Sequence, residues 1–149
     1  MHILSIDSAI DKEVIEIFLS THSKKSEVIA FLEDLKDFLG KENFDIDSDF
    51  MIIKKNKPDD EEHSTPYTLL DLDYDTWDVV ERLKELTVSE YSETKIDKDD
   101  LNPPKLYVFG KFINRKLVYV KLKIKGDQKR YVLCVSFHYA RDLMKFPYA

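Results

Sequence analysis

A chain of 149 residues, 43% of them hydrophobic, is large enough to bury one core and too apolar for wholesale disorder. No apolar run approaches transmembrane length, and the N-terminus lacks a cationic start followed by an apolar block, so neither a span nor a secretory leader is expected. The net charge of −6 hides a division: from Pro104 onward eleven Lys or Arg face two Asp, whereas the preceding residues carry twelve basic and twenty-seven acidic side chains. Such asymmetry suggests a surface for a polyanion in the basic part, or simple attraction between the two parts. The single cysteine, Cys134, cannot form an internal disulfide and reads as a small buried hydrophobe in a reducing compartment, which makes the expected location cytoplasmic.

In chain order, Met1–Ser23 reads as a helical segment, with Asp7 or Ser8 as cap and Ile10, Val14, Ile17 and Phe18 at helical spacing. Thr21-His22-Ser23 marks a break, with His22 as an exposed loop residue. An amphipathic helix comes next over Glu27–Leu39, capped by Ser26, carrying its apolar stripe on Val28, Phe31, Leu32, Leu35 and Phe38, and stopped by Gly40. Phe44–Lys54 alternates well enough for a strand and ends in the basic cluster Lys54-Lys55-Asn56-Lys57. Pro58–Pro66, with four consecutive acids, reads as a solvated loop in which His63 is exposed and idle. Tyr67–Leu72 opens a second helical region, and Asp75 or Thr76 caps a helix to Leu86 with Trp77, Val80 and Leu83 on its stripe. Val88–Ser92 reads as a turn, and Pro103-Pro104 delivers the chain, extended, into the C-terminal strands.

Three strands are expected there: Lys105–Ile113, then Leu117–Lys125 after the turn Asn114-Arg115-Lys116, then Tyr131–His138 after Gly126-Asp127-Gln128. Period-two alternation puts Val118, Val120, Leu122 and Ile124 on one face of the middle strand and Tyr119, Lys121, Lys123 and Lys125 on the other. In the third strand Tyr131, Leu133, Val135 and Phe137 alternate with Val132, Cys134, Ser136 and His138. If the apolar faces agree, Ser136 and His138 join Tyr119 and Lys121 on one surface. The tail Met144–Ala149 is aromatic and is expected to pack over a sheet edge. Helices before strands predict an α+β fold, with an antiparallel sheet of three or four strands in the C-terminal half packed against N-terminal helices. Three glycines, four scattered histidines and one cysteine provide no phosphate loop and no zinc set, so no cofactor and no metal are expected.

The motifs Thr68-Leu69-Leu70-Asp71-Leu72, Val118-Tyr119-Val120-Lys121-Leu122 and Val132-Leu133-Cys134-Val135-Ser136-Phe137, with the helix after Asp75 and the Leu86–Tyr91 run between them, resemble in order and spacing the MqsR family of bacterial toxins. The likeness covers Glu27–Tyr148. It implies a RelE-like domain over residues 24–149, with 1–23 as an extension. It also implies an endoribonuclease that cleaves mRNA and is neutralised by a cognate antitoxin protein. The family's tyrosine matches Tyr119, and its C-terminal lysine falls on His138. A further family lysine falls near Ser92 and is missing unless Lys95 replaces it; the glutamine of the first sheet strand has no match around Phe109-Gly110-Lys111.

RNA can be cut without a metal when its own 2′-OH attacks the adjacent phosphate, given a base, an acid and cations facing the charge that develops on phosphorus. An imidazole, with an ordinary pKa of about 6.5, suits His138 to acid or base work, and nearby lysines favour its neutral form. Tyr119, a phenol of ordinary pKa about 10, can orient the hydroxyl or donate a proton. Lys121, with Lys111 and Lys123, is the expected charge stabiliser, and Tyr107 can stack an unstacked base. Each residue also has a plainer use: Tyr119 as a cover for the sheet, His138 as a structural strand-end residue, Lys121 and Lys123 as solubility residues. Ser136 reads as a strand-face hydroxyl rather than a nucleophile. The alternative function is a non-catalytic nucleic-acid-binding module on the same basic face, and a third is a protein-interaction domain.

Overall fold

The computed structural model describes residues 20–101 and 103–149. The helix expected around Ile10–Phe18 lies outside them. In order, the elements are β1 (Ser20–Thr21), α1 (Lys25–Leu39), α2 (Ile46–Asp49), β2 (Phe50–Ile52), α3 (Thr65–Leu72), α4 (Thr76–Lys84), β3 (Tyr91–Lys95), β4 (Leu106–Ile113), β5 (Lys116–Lys125) and β6 (Tyr131–Tyr139), with 3-10 turns at Glu61–His63 and Val88–Glu90. The class is α+β. Among the described residues the sheet has six strands in the order β1-β3-β4-β5-β6-β2 and is mixed, because β2 runs parallel to β6. The three expected C-terminal strands, β4, β5 and β6, form its antiparallel centre; β3 and β1 extend one side antiparallel, and the fourth expected segment, Phe44–Lys54, contributes only the short parallel β2 on the other.

α1 forms because Val28, Leu32, Leu35 and Leu39 recur every three or four residues, and all are buried against the sheet. Ser26 is not its cap. The helix starts two residues earlier, from an extended Lys24 without a side-chain cap, and Glu27 supplies negative charge to its first turn. Phe44–Lys54 alternates in sequence, yet Asp45 accepts from the Asp47 amide and donates its own amide to Asp49 Oδ2, which closes α2 and leaves only three residues of strand. Short Asp side chains compete for backbone groups in this way, and a strand pattern built on them is broken. The acidic loop likewise gives way at Ser64, whose hydroxyl accepts from the Tyr67 amide and starts α3 two residues before the expected point. α4 is capped as expected by Asp75, in a reciprocal box with Asp78, but Val79 takes the core position beside Val80 and Leu83 while Trp77 is half exposed. It stops at Lys84 rather than Leu86.

The β4–β5 turn is made by Asn114 and Arg115, both at positive φ, the left-handed pair that a two-residue hairpin of matching twist requires. One departure decides the site. Lys121 pairs with Ser136 but Leu122 pairs with Cys134, so Val135 is an extra residue in β6. This bulge reverses the alternation on its N-terminal side. Val132 and Cys134 enter the core with Phe137 and Tyr139, while Leu133 turns to the other face, contrary to a simple period-two reading. Burial pushes the Cys134 thiol up to about 12.

The face opposite α1 and α4 is crossed by the tail. A side chain at Gly110 would meet the Phe146 ring at 2.8 Å and Met144 Sδ at 3.0 Å, and Tyr148 goes on to stack on Tyr91 and donate to the Ser23 carbonyl. Gly110→Ala is therefore expected to displace the tail and lower stability by about 1–3 kcal/mol, as overpacking generally does. Urea denaturation with an unchanged midpoint would show that the tail moves freely.

Candidate functional site

α3 is fixed to the free edge of β6 by two threonines. The Phe137 amide donates to Thr65 Oγ1 at 3.1 Å and the Tyr139 amide to Thr68 Oγ1 at 2.9 Å, so the helix satisfies strand donors that no neighbouring strand reaches. This docking brings the loop between β2 and α3 over the C-terminal half of β6. Together with residues 92–99 and the tail, that loop walls a cleft of about 720 Å³ whose floor is the tail-crossed sheet face.

Tyr119 and His138 are directly opposed in the β5–β6 register, and their rings stack at 5.1 Å between centroids, 13° from parallel. Lys121 and Ser136, the next pair along, share the cleft, and the Lys121 ammonium lies 5.9 Å from the Tyr119 ring. The expectation that Ser136 and His138 share a surface with Tyr119 and Lys121 agrees with this placement because all four lie beyond the bulge.

His138 is 9% exposed. Its Nδ1 lies 2.9 Å from the Tyr139 carbonyl, an acceptor only, so Nδ1 carries the proton and Nε2 presents a lone pair. Burial first, then the charges of Lys57, Lys121 and His63, together pull the imidazole down to about 4 against the opposing Tyr139 carbonyl. The ring is neutral across the physiological range.

Facing Nε2 at 3.4 Å is the ammonium of Lys57, from the β2–α3 loop. Lys57 also donates to the His63 carbonyl at 2.9 Å, and the His63 imidazole is held in turn by Asp60 Oδ1 at 2.6 Å. Burial lowers the Lys57 pKa, with Lys55 and Arg141 adding to the effect and Asp60 opposing it. His63 is thus half-buried and bonded, neither exposed nor idle. The sequence marked Lys57 only as part of a basic cluster, since the contact spans 81 positions and depends on how α3 docks.

The other expected residues divide. Lys95 lines the cleft at the β3 side, ion-paired with Glu93, and Ser92 lies beside it. Lys123 points to the cleft face but is fully buried under residues 97–100, with Asp97 at 3.0 Å and Asp100 at 3.4 Å. Tyr107 and Lys111 belong to the opposite face. Tyr107 pairs with core residue Leu122 and stacks on Phe31 of α1 at 4.0 Å, so its ring packs against the helix instead of facing the cleft; Lys111 reaches Glu90 and Glu85 beside the helices. Odd and even positions of β4 fall on opposite faces, and the register fixed by Tyr107 and Lys111 sends both away from the cleft. His22, expected as an exposed loop residue, is exposed and lines the cleft.

Among the described residues no group of three or more His, Cys, Asp or Glu is placed to hold a metal ion, and no helix is long and apolar enough to cross a membrane. Comparison with protein-family models, with curated proteins and with solved structures returns no match to the chain.

Proposed function

We propose that the protein is a metal-independent endoribonuclease that cleaves mRNA by internal attack of the 2′-hydroxyl, the toxin of a cytoplasmic type II toxin–antitoxin pair of the MqsR kind, with a RelE-like domain. The observation that carries the reading is the stacked Tyr119–His138 pair, with a neutral imidazole lone pair facing a cleft that Lys57, Lys95 and Lys121 line.

His138 Nε2 takes the proton from the 2′-hydroxyl as O2′ bonds to phosphorus. The P–O5′ bond breaks, and the departing oxygen collects a proton that the Tyr119 phenol is suited to give. Lys121 and Lys95 face the charge that accumulates on the phosphoryl oxygens. The products are a 2′,3′-cyclic phosphate and a free 5′-hydroxyl. Neutralisation falls to a cognate antitoxin protein.

A labelled RNA incubated in chelator is expected to be cut with those ends. Cleavage is expected to fall by about 100-fold or more in both His138→Ala and Tyr119→Phe, the usual size of an acid–base contribution. RNA cut equally fast by both variants removes the site. Salt-sensitive RNA retention without cleavage replaces the enzyme by a binding module on the same face.

A further inference from the structure

A base is most effective when its pKa lies near the working pH, and His138 sits well below it. Something in the occupied site has to raise it. The candidate is Lys57, whose charge adds to the burial that depresses it.

We propose that Lys57 gates His138: its ammonium occupies the Nε2 lone pair in the free protein and leaves it for a phosphate when one enters the cleft. The proposal rests on the nuclease reading for its substrate, an RNA phosphodiester, but its working part is a phosphate site formed by Lys57 and His138 with Lys121 beside them.

Three features of the geometry support a movable cation. The Lys57–His138 contact is long, 3.4 Å, whereas the same ammonium donates to the His63 carbonyl at 2.9 Å, so the weaker bond can be released while the stronger one keeps the side chain over the cleft. That acceptor is the backbone carbonyl of His63, whose imidazole is anchored by Asp60; the second oxygen of Asp60 is 3.8 Å from Arg141, so the hinge residue is held from two sides. The His138 ring itself is fixed by the Tyr139 carbonyl on one side and the Tyr119 ring on another, so only the lysine needs to turn.

The charges around Nε2 determine the direction of the effect. Those acting on the imidazole are Lys57 and His63 from the β2–α3 loop and Lys121 from β5. Lys55, Asp60 and Arg141 act in turn on Lys57, while the Tyr119 phenol, Asp142 of the tail and Glu93, Lys95, Asp97, Lys98 and Asp99 of the 92–99 wall line the same cleft. The groups acting on the imidazole are cationic or can become so, and they oppose imidazolium. A phosphate placed among them draws off the nearest ammonium and adds a negative charge, so the proton affinity of Nε2 rises when substrate arrives. The base is weak in the empty cleft and strengthened in the filled one.

The test is an NMR pH titration of the His138 ring, assigned by its disappearance in His138→Gln, with and without inorganic phosphate. Saturating phosphate is expected to move the midpoint upward by one pH unit or more, a tenfold or greater gain in proton affinity. In Lys57→Met the midpoint of the free protein is expected to be already raised, and phosphate to bind about tenfold more weakly; Lys57→Arg, which keeps the charge, restores phosphate affinity. A wild-type midpoint that phosphate leaves unmoved overturns the gate, as does a Lys57→Met protein with unchanged midpoint and affinity. If phosphate raises the midpoint but RNA is not cut, the gate stands and the nuclease reading falls. If RNA is cut and the midpoint does not respond, the nuclease reading stands alone.

Discussion

Acidification from about pH 6.5 to about pH 4 is expected to cost the fold about 3 kcal/mol through His138 alone. In the unfolded chain this imidazole has its ordinary pKa of about 6.5, whereas in the folded protein it titrates at about 4. Between the two values the unfolded chain binds a proton that the folded one refuses, so stability falls with pH across that window and the loss is complete below it. About 2.5 units at roughly 1.4 kcal/mol each gives about 3.5 kcal/mol in full, of which about 3 is lost by pH 4, where the folded imidazole is half protonated. The side chain is 9% exposed, so solvent screening discounts it little. His138→Gln removes the titration, and an amide N–H can still reach the Tyr139 carbonyl. Urea denaturation across the window is expected to show a smaller acid loss in the variant by about 3 kcal/mol. Asp49 and Asp60, both with carboxyls held below the usual range, add acid loss only at lower pH and do so equally in both proteins. Parallel curves for the two would mean that the imidazole is solvated in the native state.

Lys123→Met is expected to lower stability by about 3 kcal/mol or more, and the double variant Lys123→Met, Asp97→Asn to recover most of that loss. The ammonium is fully buried, 3.0 Å from Asp97 and 3.4 Å from Asp100, and Asp100 is shared with Lys125 at 3.0 Å. Removing one member of a buried pair leaves an uncompensated charge, at about 3–5 kcal/mol, whereas replacing both by neutral groups is close to free. A double-mutant cycle measures the difference directly. Additive losses would show that the carboxylates are hydrated and the pair contributes little. The pair has a functional consequence too, since Asp97 and its neighbours wall the cleft. The single variant is expected to loosen that wall; the double one keeps it closed without charge.

The two predictions concern residues that the sequence singled out for similar reasons and that the fold treats differently. Tyr119, Lys121, Ser136 and His138 could be put on one surface because strand alternation is local and nothing interrupts it between Val118 and Lys121 or between Ser136 and His138. The same rule misplaced Leu133 and Cys134, because it counts residues and cannot see an extra one at Val135. It named Lys123 as an open cation because it cannot see the Asp97–Asp100 segment folding over it. Lys111 was expected among the charge stabilisers and Tyr107 as a stacking platform for a base, and the β4 register places them against Glu85, Glu90 and Phe31.

By itself the sequence determined the α+β class, the amphipathic α1, the Asp75 cap, the β4–β6 hairpins and the pairing of a phenol with an imidazole across neighbouring strands. These depend on periodicity, capping chemistry and turn residues, which act over a few positions. Tertiary structure alone decided that β2 joins the sheet in parallel, that Lys57 faces Nε2, that Lys123 is buried and that a glycine beside Tyr119 admits the tail. These depend on contacts between distant segments, where burial and charge pairing are set by what packs on top, and no local pattern carries that.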